Sequence, residues 1–87
     1  MAWEVRFKPS ALREFRDLPG NVQARVGRRL DSLVADPRLP GAQKLEGGED
    51  FYRVRAGDYR VVYAIDDAVR VVFIVKIGHR GDVYRRR

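Results

Sequence analysis

The sequence contains no cysteine, a single histidine, a single tryptophan and no apolar run of membrane-spanning length. Each scarcity closes off a class of protein. Without cysteine there are no disulfide staples, no thiolate zinc sites and no thiol nucleophile, a composition that fits a reducing compartment. One histidine gives no paired-histidine metal spacing, and the glycines do not form a phosphate-cradling strand-to-helix loop or a nucleophile elbow. No stretch approaches the roughly 20 apolar residues a bilayer crossing needs. Residues Met1 to Phe7 alternate charge with apolar side chains where a signal peptide would carry an apolar core. The expectation is a cytoplasmic protein with no membrane association, no metal and no cofactor.

At 87 residues the chain is expected to form a single domain, residues 1–87, near the lower size limit for a self-sufficient core. What it has in abundance is arginine. The 18 basic residues, 15 Arg and 3 Lys, outnumber 12 acidic ones for a net charge of +6. Residues 1–67 are nearly balanced, with 12 basic against 11 acidic, whereas residues 68–87 carry 6 against 1. Arginine's planar fork matches phosphate bidentately, so the composition points to a polyanionic partner.

Hydropathy periods divide the chain. Trp3, Val5 and Phe7 alternate with Glu4, Arg6 and Lys8, which predicts a half-buried first strand. Pro9 suits a first helical turn and Ser10 is placed to cap it. Ala11, Phe15 and Leu18 then form an apolar stripe that Pro19-Gly20 ends. Asn21 is positioned to cap a second helix with Val22, Val26, Leu30, Leu33 and Val34 on its buried side and Arg25, Arg28 and Arg29 mostly off it. Asp36-Pro37 stops that helix. Residues 36–50 read as a long loop pinned by Leu39 and Leu45.

From Phe51 the period is two. Gly57-Asp58 is a two-residue turn, which pairs Ala56 with Tyr59, Arg55 with Arg60, Val54 with Val61, Arg53 with Val62 and Tyr52 with Tyr63. A third strand places Val69, Val71, Phe73, Val75 and Ile77 in the core if the loop is Asp66 to Ala68. Trp3, Phe15 and Phe73 are expected core residues. The predicted fold is α+β with the order β-α-α-β-β-β: an antiparallel sheet with a helical hairpin packed on one face.

The other face carries the functional signal. Arg55 directly opposite Arg60, with Arg53 two residues along, costs a few tenths to about 1 kcal/mol in like-charge repulsion. A bound anion is the natural reason for the arrangement, and Lys76 on the neighbouring strand extends it. After the last strand, Gly78-His79-Arg80-Gly81 followed by Tyr84 brings further polar groups within reach of that face.

The segments Phe51-Tyr52-Arg53-Val54-Arg55 and Tyr59-Arg60-Val61-Val62-Tyr63, then Val72-Phe73, Gly78-His79-Arg80 and Val83-Tyr84, resemble the RelE/ParE superfamily of toxins from type II toxin-antitoxin systems. The resemblance extends to the opening strand, the Leu18-Pro19-Gly20 break and the Asp36-Pro37 stop. It implies a RelE-like microbial RNase fold and a ribosome-dependent mRNA endoribonuclease, in which the 2'-hydroxyl attacks the adjacent phosphate. By resemblance, Arg60 stabilises the phosphate, Arg80 serves the phosphate and the leaving oxygen, and Tyr84 orients or stacks on the substrate. Arg53 and Arg55 stand where the best-known members carry lysines, one of them proposed as general base. Arginine does not deprotonate in proteins, which leaves His79 as the substitute base.

The resemblance also implies a cognate antitoxin encoded nearby, mRNA in the ribosomal A site as substrate, and operator DNA contacted only through the antitoxin complex. Two other functions stand beside this one: a ParE-like inhibitor of DNA gyrase that cleaves nothing, and a binding module without toxicity.

Overall fold

The computed structural model describes residues 2–45 and 50–79. Its elements are β1 (Glu4–Phe7), α1 (Pro9–Arg16), α2 (Gly20–Ala35), β2 (Gln43–Lys44), β3 (Phe51–Ala56), β4 (Tyr59–Asp66) and β5 (Val71–His79). The strands form one sheet in the order β1-β5-β4-β3-β2. The α+β architecture and the helical pair on one face are as the sequence predicts. The sheet differs in being mixed, because β1 runs parallel to β5 while the other pairs are antiparallel. A two-residue strand, β2, extends it at the far edge.

The helix starts differ from the capping expectation. Ser10 lies inside α1, whose N-cap is Lys8 and whose first residue is Pro9, and Asn21 lies inside α2, whose N-cap is Pro19. In both cases the proline fixes the boundary, since its ring presets φ near the helical value or holds the cap residue extended. Gln23 joins the two helices: its backbone N–H bonds Pro19 O at 2.8 Å, and its side-chain amide donates to Phe15 O at 3.0 Å, a carbonyl at the end of α1. Asp36, extended at φ −155°, ends α2 as expected.

Val26, Leu30 and Leu33 of α2 and Ala11 of α1 pack on Val54, Ala56, Val61, Tyr63, Ile65, Val72, Ile74 and Ile77 of the sheet. Leu39 is buried and pins the loop, and Trp3 and Phe15 are partly buried against the same core. The third strand of the sequence reading departs from expectation. Arg70 adopts a left-handed conformation (φ 57°), the Asp66 carboxylate accepts from Ala68 N–H, and β5 starts only at Val71. Lengthening the loop by one residue inverts the parity, so Val72 and Ile74 enter the core while Phe73 turns outward, 36% exposed, and Val69 is 63% exposed.

The inversion is undone at mid-strand. Tyr63 pairs Ile74 but Val62 pairs Lys76, so Val75 is an extra residue, and beyond it Ile77 is again inside. Val71 to Val75 are all apolar, so the sequence pattern permits either register there.

Tyr63 is the largest fully buried side chain among the described residues. Its hydroxyl donates to Pro37 O at 2.7 Å, tying the loop after α2 to the sheet, and its ring stacks on Tyr52 at 5.9 Å. Burial pushes its phenol pKa up to about 12. An acid whose pKa is raised on folding contributes no pH dependence below its unfolded value, and stability falls as pH rises through the interval from that value to the folded one. Stability is therefore expected to decline between about pH 10 and 12. In Tyr63→Phe this decline should shrink, at the cost of about 1 kcal/mol near neutrality from the lost hydrogen bond. Urea midpoints across pH check both.

Candidate nucleic-acid interface

The hairpin β3–β4 builds the site. Gly57 takes φ +65° in its two-residue turn, and the observed pairs are those the turn dictates, from Ala56 with Tyr59 to Tyr52 with Tyr63. The helix-facing side holds Val54, Ala56, Val61 and Tyr63. On the opposite, open side Arg55 stands across from Arg60, and Arg53 stands between Val62 and Gln43. Gly78 is the neighbour of Arg60 on β5 and leaves the space beside it clear of a side chain.

Arg53, Arg55 and Arg60 together line a cavity of about 130 Å³ with Gly41, Gln43 and Val54. Gln43 Oε1 accepts from both Nε (2.9 Å) and Nη2 (2.6 Å) of Arg53, holding that guanidinium in place. The Nε of Arg60 is shielded from solvent. Among the described residues the lining offers guanidinium and carboxamide donors and no carboxylate, a donor set that suits an anion with several oxygens. Gln43 was not among the residues singled out in the sequence, since a two-residue strand has no period to detect. The signal that finds it is its register position beside Arg53.

Lys76 shares the open side with Val62, but its ammonium is bound to Glu14 Oε2 at 2.7 Å. Glu14 Oε1 meanwhile accepts from Ile77 N–H at 2.9 Å. Lys76 thus contributes to the sheet edge rather than to the cavity lining. His79 does not join the cavity either. It pairs with Tyr59, whose side chain packs against the core, and meets that ring edge-on at 5.5 Å. Because side chains across a strand pair share a face, His79 projects on the side away from Arg60. Arg80 and Tyr84 lie outside the described residues.

One row along the open side, Phe51, Ala64 and Phe73 stand abreast, with the two phenylalanines 38% and 36% exposed. Arginines beside exposed aromatic rings, with small residues between, form a surface of the kind that receives phosphates and stacked bases.

Comparison with known proteins places this geometry. The description "ParE toxin of type II toxin-antitoxin system, parDE" matches residues 5–84. The mRNA interferase toxin RelE of Escherichia coli (strain K12) is 35% identical over 88 residues, covering 97% of this chain and 92% of that protein. The chain belongs to the RelE/ParE toxin superfamily. Among solved structures, the isolated E. coli RelE toxin superposes with a TM-score of 0.83 at 30% identity, covering 99% of this chain and 88% of that one. The toxin in the intact E. coli RelBE toxin-antitoxin complex gives 0.81 at 31% identity, with 99% and 100% covered. The mixed sheet and helical pair are therefore the RelE fold.

Because Arg55 and Arg60 repel across the hairpin, Arg55→Gln is expected to raise stability by a few tenths of a kcal/mol at low ionic strength. The gain should vanish near 1 M salt, where charges are screened within about 3 Å. The same variant should bind RNA more weakly; thermal melts at two salt concentrations and anisotropy titrations check the pair of effects.

Proposed function

We propose that this protein is a ribosome-dependent mRNA endoribonuclease, the toxin of a type II toxin-antitoxin pair acting in the cytoplasm. The observation that carries the reading is the convergence of Arg53, Arg55 and Arg60 on one cavity of the open sheet face, in a chain 35% identical to an mRNA interferase toxin. Attack of an mRNA 2'-hydroxyl on the adjacent phosphorus forms the 2'-O–P bond as its proton passes to solvent water, goes through a doubly charged phosphorane, and breaks the P–O5' bond to leave a 2',3'-cyclic phosphate and a 5'-oxygen that takes up a proton. Preorganised guanidiniums at that phosphate stabilise the developing charge and can contribute a few kcal/mol per donor. None of the cavity's guanidiniums or its carboxamide accepts a proton near neutrality, so the described part of the site acts electrostatically. Arg80 and Tyr84 are proposed, by family resemblance, to serve the leaving oxygen and to orient the base.

The ParE-like alternative, gyrase inhibition without cleavage, is less well supported, because the curated relative is an mRNA interferase and a phosphate-sized arginine cavity answers a cleavage reaction. The partner is an antitoxin, as in the RelBE complex that this chain's fold matches; operator DNA is proposed, by family resemblance, to be contacted only through the toxin-antitoxin complex.

Induction should arrest translation and generate new 5' ends in ribosome-bound transcripts. Arg60→Ala should lower single-turnover cleavage at least about a hundredfold, the scale of losing one transition-state donor, with an unchanged circular dichroism spectrum. His79→Gln should leave cleavage within about threefold, since its ring faces Tyr59; a hundredfold loss would restore it as the base. Intact mRNA on arrested ribosomes, with an induced DNA-damage response, would favour the gyrase reading.

A further inference from the structure

A second group of arginines stands on the far side of β3. Arg25, Arg28 and Arg29 project from one side of α2 and, with Ser32, Arg55, Ala56 and Gly57, line a groove of about 320 Å³. Four guanidinium-bearing residues share this lining without a carboxylate among the described residues, and none forms an ion pair with any described acidic residue. Two are held in position. Arg29 Nε donates to Arg55 O at 2.9 Å, which leaves its terminal nitrogens to a ligand. Arg25 lies so close over Gly57 that a Cβ there would come within 2.6 Å of its Nη1.

Arg55 lines both cavities. The two basic surfaces are therefore continuous over the β3 edge, with Arg55 as their shared member.

We propose that the α2 groove is a second phosphodiester-binding site, in which Arg25, Arg28 and Arg29 take RNA phosphates across the β3 edge from the open face. This rests on the ribonuclease reading above. Planar forks presented with Ala56 as the apolar residue among the described lining suit phosphates better than an acidic amphipathic protein segment, which would need apolar surface to dock. The RNA is either the message itself or ribosomal RNA, which offer the same phosphodiester chemistry.

The test compares the wild-type chain with Arg25→Gln/Arg28→Gln, chosen because neither side chain makes a described hydrogen bond. Binding is measured on cleavage-blocked RNA of about 4 and about 16 nucleotides, and on ribosomes whose message stops just beyond the decoding codon or extends past it. The variant is expected to bind the longer oligonucleotide about tenfold more weakly, with a salt slope reduced by about 1.4 for two lost phosphate contacts. The shorter one should bind as before.

On ribosomes, a loss confined to the extended message assigns the groove to mRNA, and an equal loss on both assigns it to ribosomal RNA; either supports the site. Unchanged binding in every RNA arm overturns it, as does a loss restricted to antitoxin affinity, which would mark a protein-docking surface. Wild-type cleavage with unchanged RNA binding by the variant would reject the groove alone. A wild-type chain that neither binds nor cleaves RNA in any arm would reject the ribonuclease reading along with it.

Discussion

The two-residue turn at Gly57-Asp58 is the constraint on which the rest depends. Its left-handed glycine fixes the hairpin register, and register decides which side of the sheet every residue of β3 and β4 occupies. Val54, Val61 and Tyr63 then face the helices, and Arg53, Arg55 and Arg60 face outward as one cluster. A slip of one residue would bury three guanidiniums and expose the core. Because burial of an unpaired charge is far more costly than a like-charge pair in solvent, the hydrophobic side effectively enforces the repulsive arrangement on the other. The same glycine leaves room for Arg25, so the turn also shapes the groove behind it.

The sheet edges are closed by side chains where strands run out. β1 covers β5 only as far as Ile74, and beyond it Glu14 of α1 accepts the Ile77 N–H. β2 covers β3 only at Tyr52 and Arg53, and beyond it Arg29 of α2 donates to Arg55 O. An exposed backbone edge invites pairing with other chains, and both helices meet that liability with a charged residue. Lys76 belongs to this device: its partner Glu14 is an edge clamp, which is why a lysine correctly placed on the open face does not line the cavity.

How legible all this was in the sequence follows from where period and turn chemistry are decisive. The β3–β4 pairing was readable residue by residue, because strict alternation and a two-residue turn leave one solution. β5 was not, because five consecutive apolar residues fit either face, and a left-handed Arg70 together with an extra residue at Val75 set the parity instead. Phe73 consequently lies on the open face, across Ala64 from Phe51, and not in the core. The first strand is legible, but nothing in its alternation announces a parallel partner 67 residues along the chain. His79 is part of β5 and meets Tyr59 on the helix side, and adjacency in sequence to Arg80 says nothing about which side of the strand a ring takes.

The choice of arginine over lysine has a structural rationale at two positions. Arg53 spends Nε and Nη2 on Gln43, and Arg29 spends Nε on Arg55 O, so each guanidinium is anchored to a neutral acceptor and keeps its charge. A lysine has one nitrogen, so anchoring its ammonium consumes the charge that is meant for a ligand, as Lys76 shows in its pairing with Glu14. Donors fixed before a phosphate arrives lose little freedom on binding and need little reorganisation when charge develops on it. Anchoring through one end of a guanidinium therefore turns a repulsive surface into a preorganised one, and the like-charge strain on the hairpin becomes energy that is released when an anion binds.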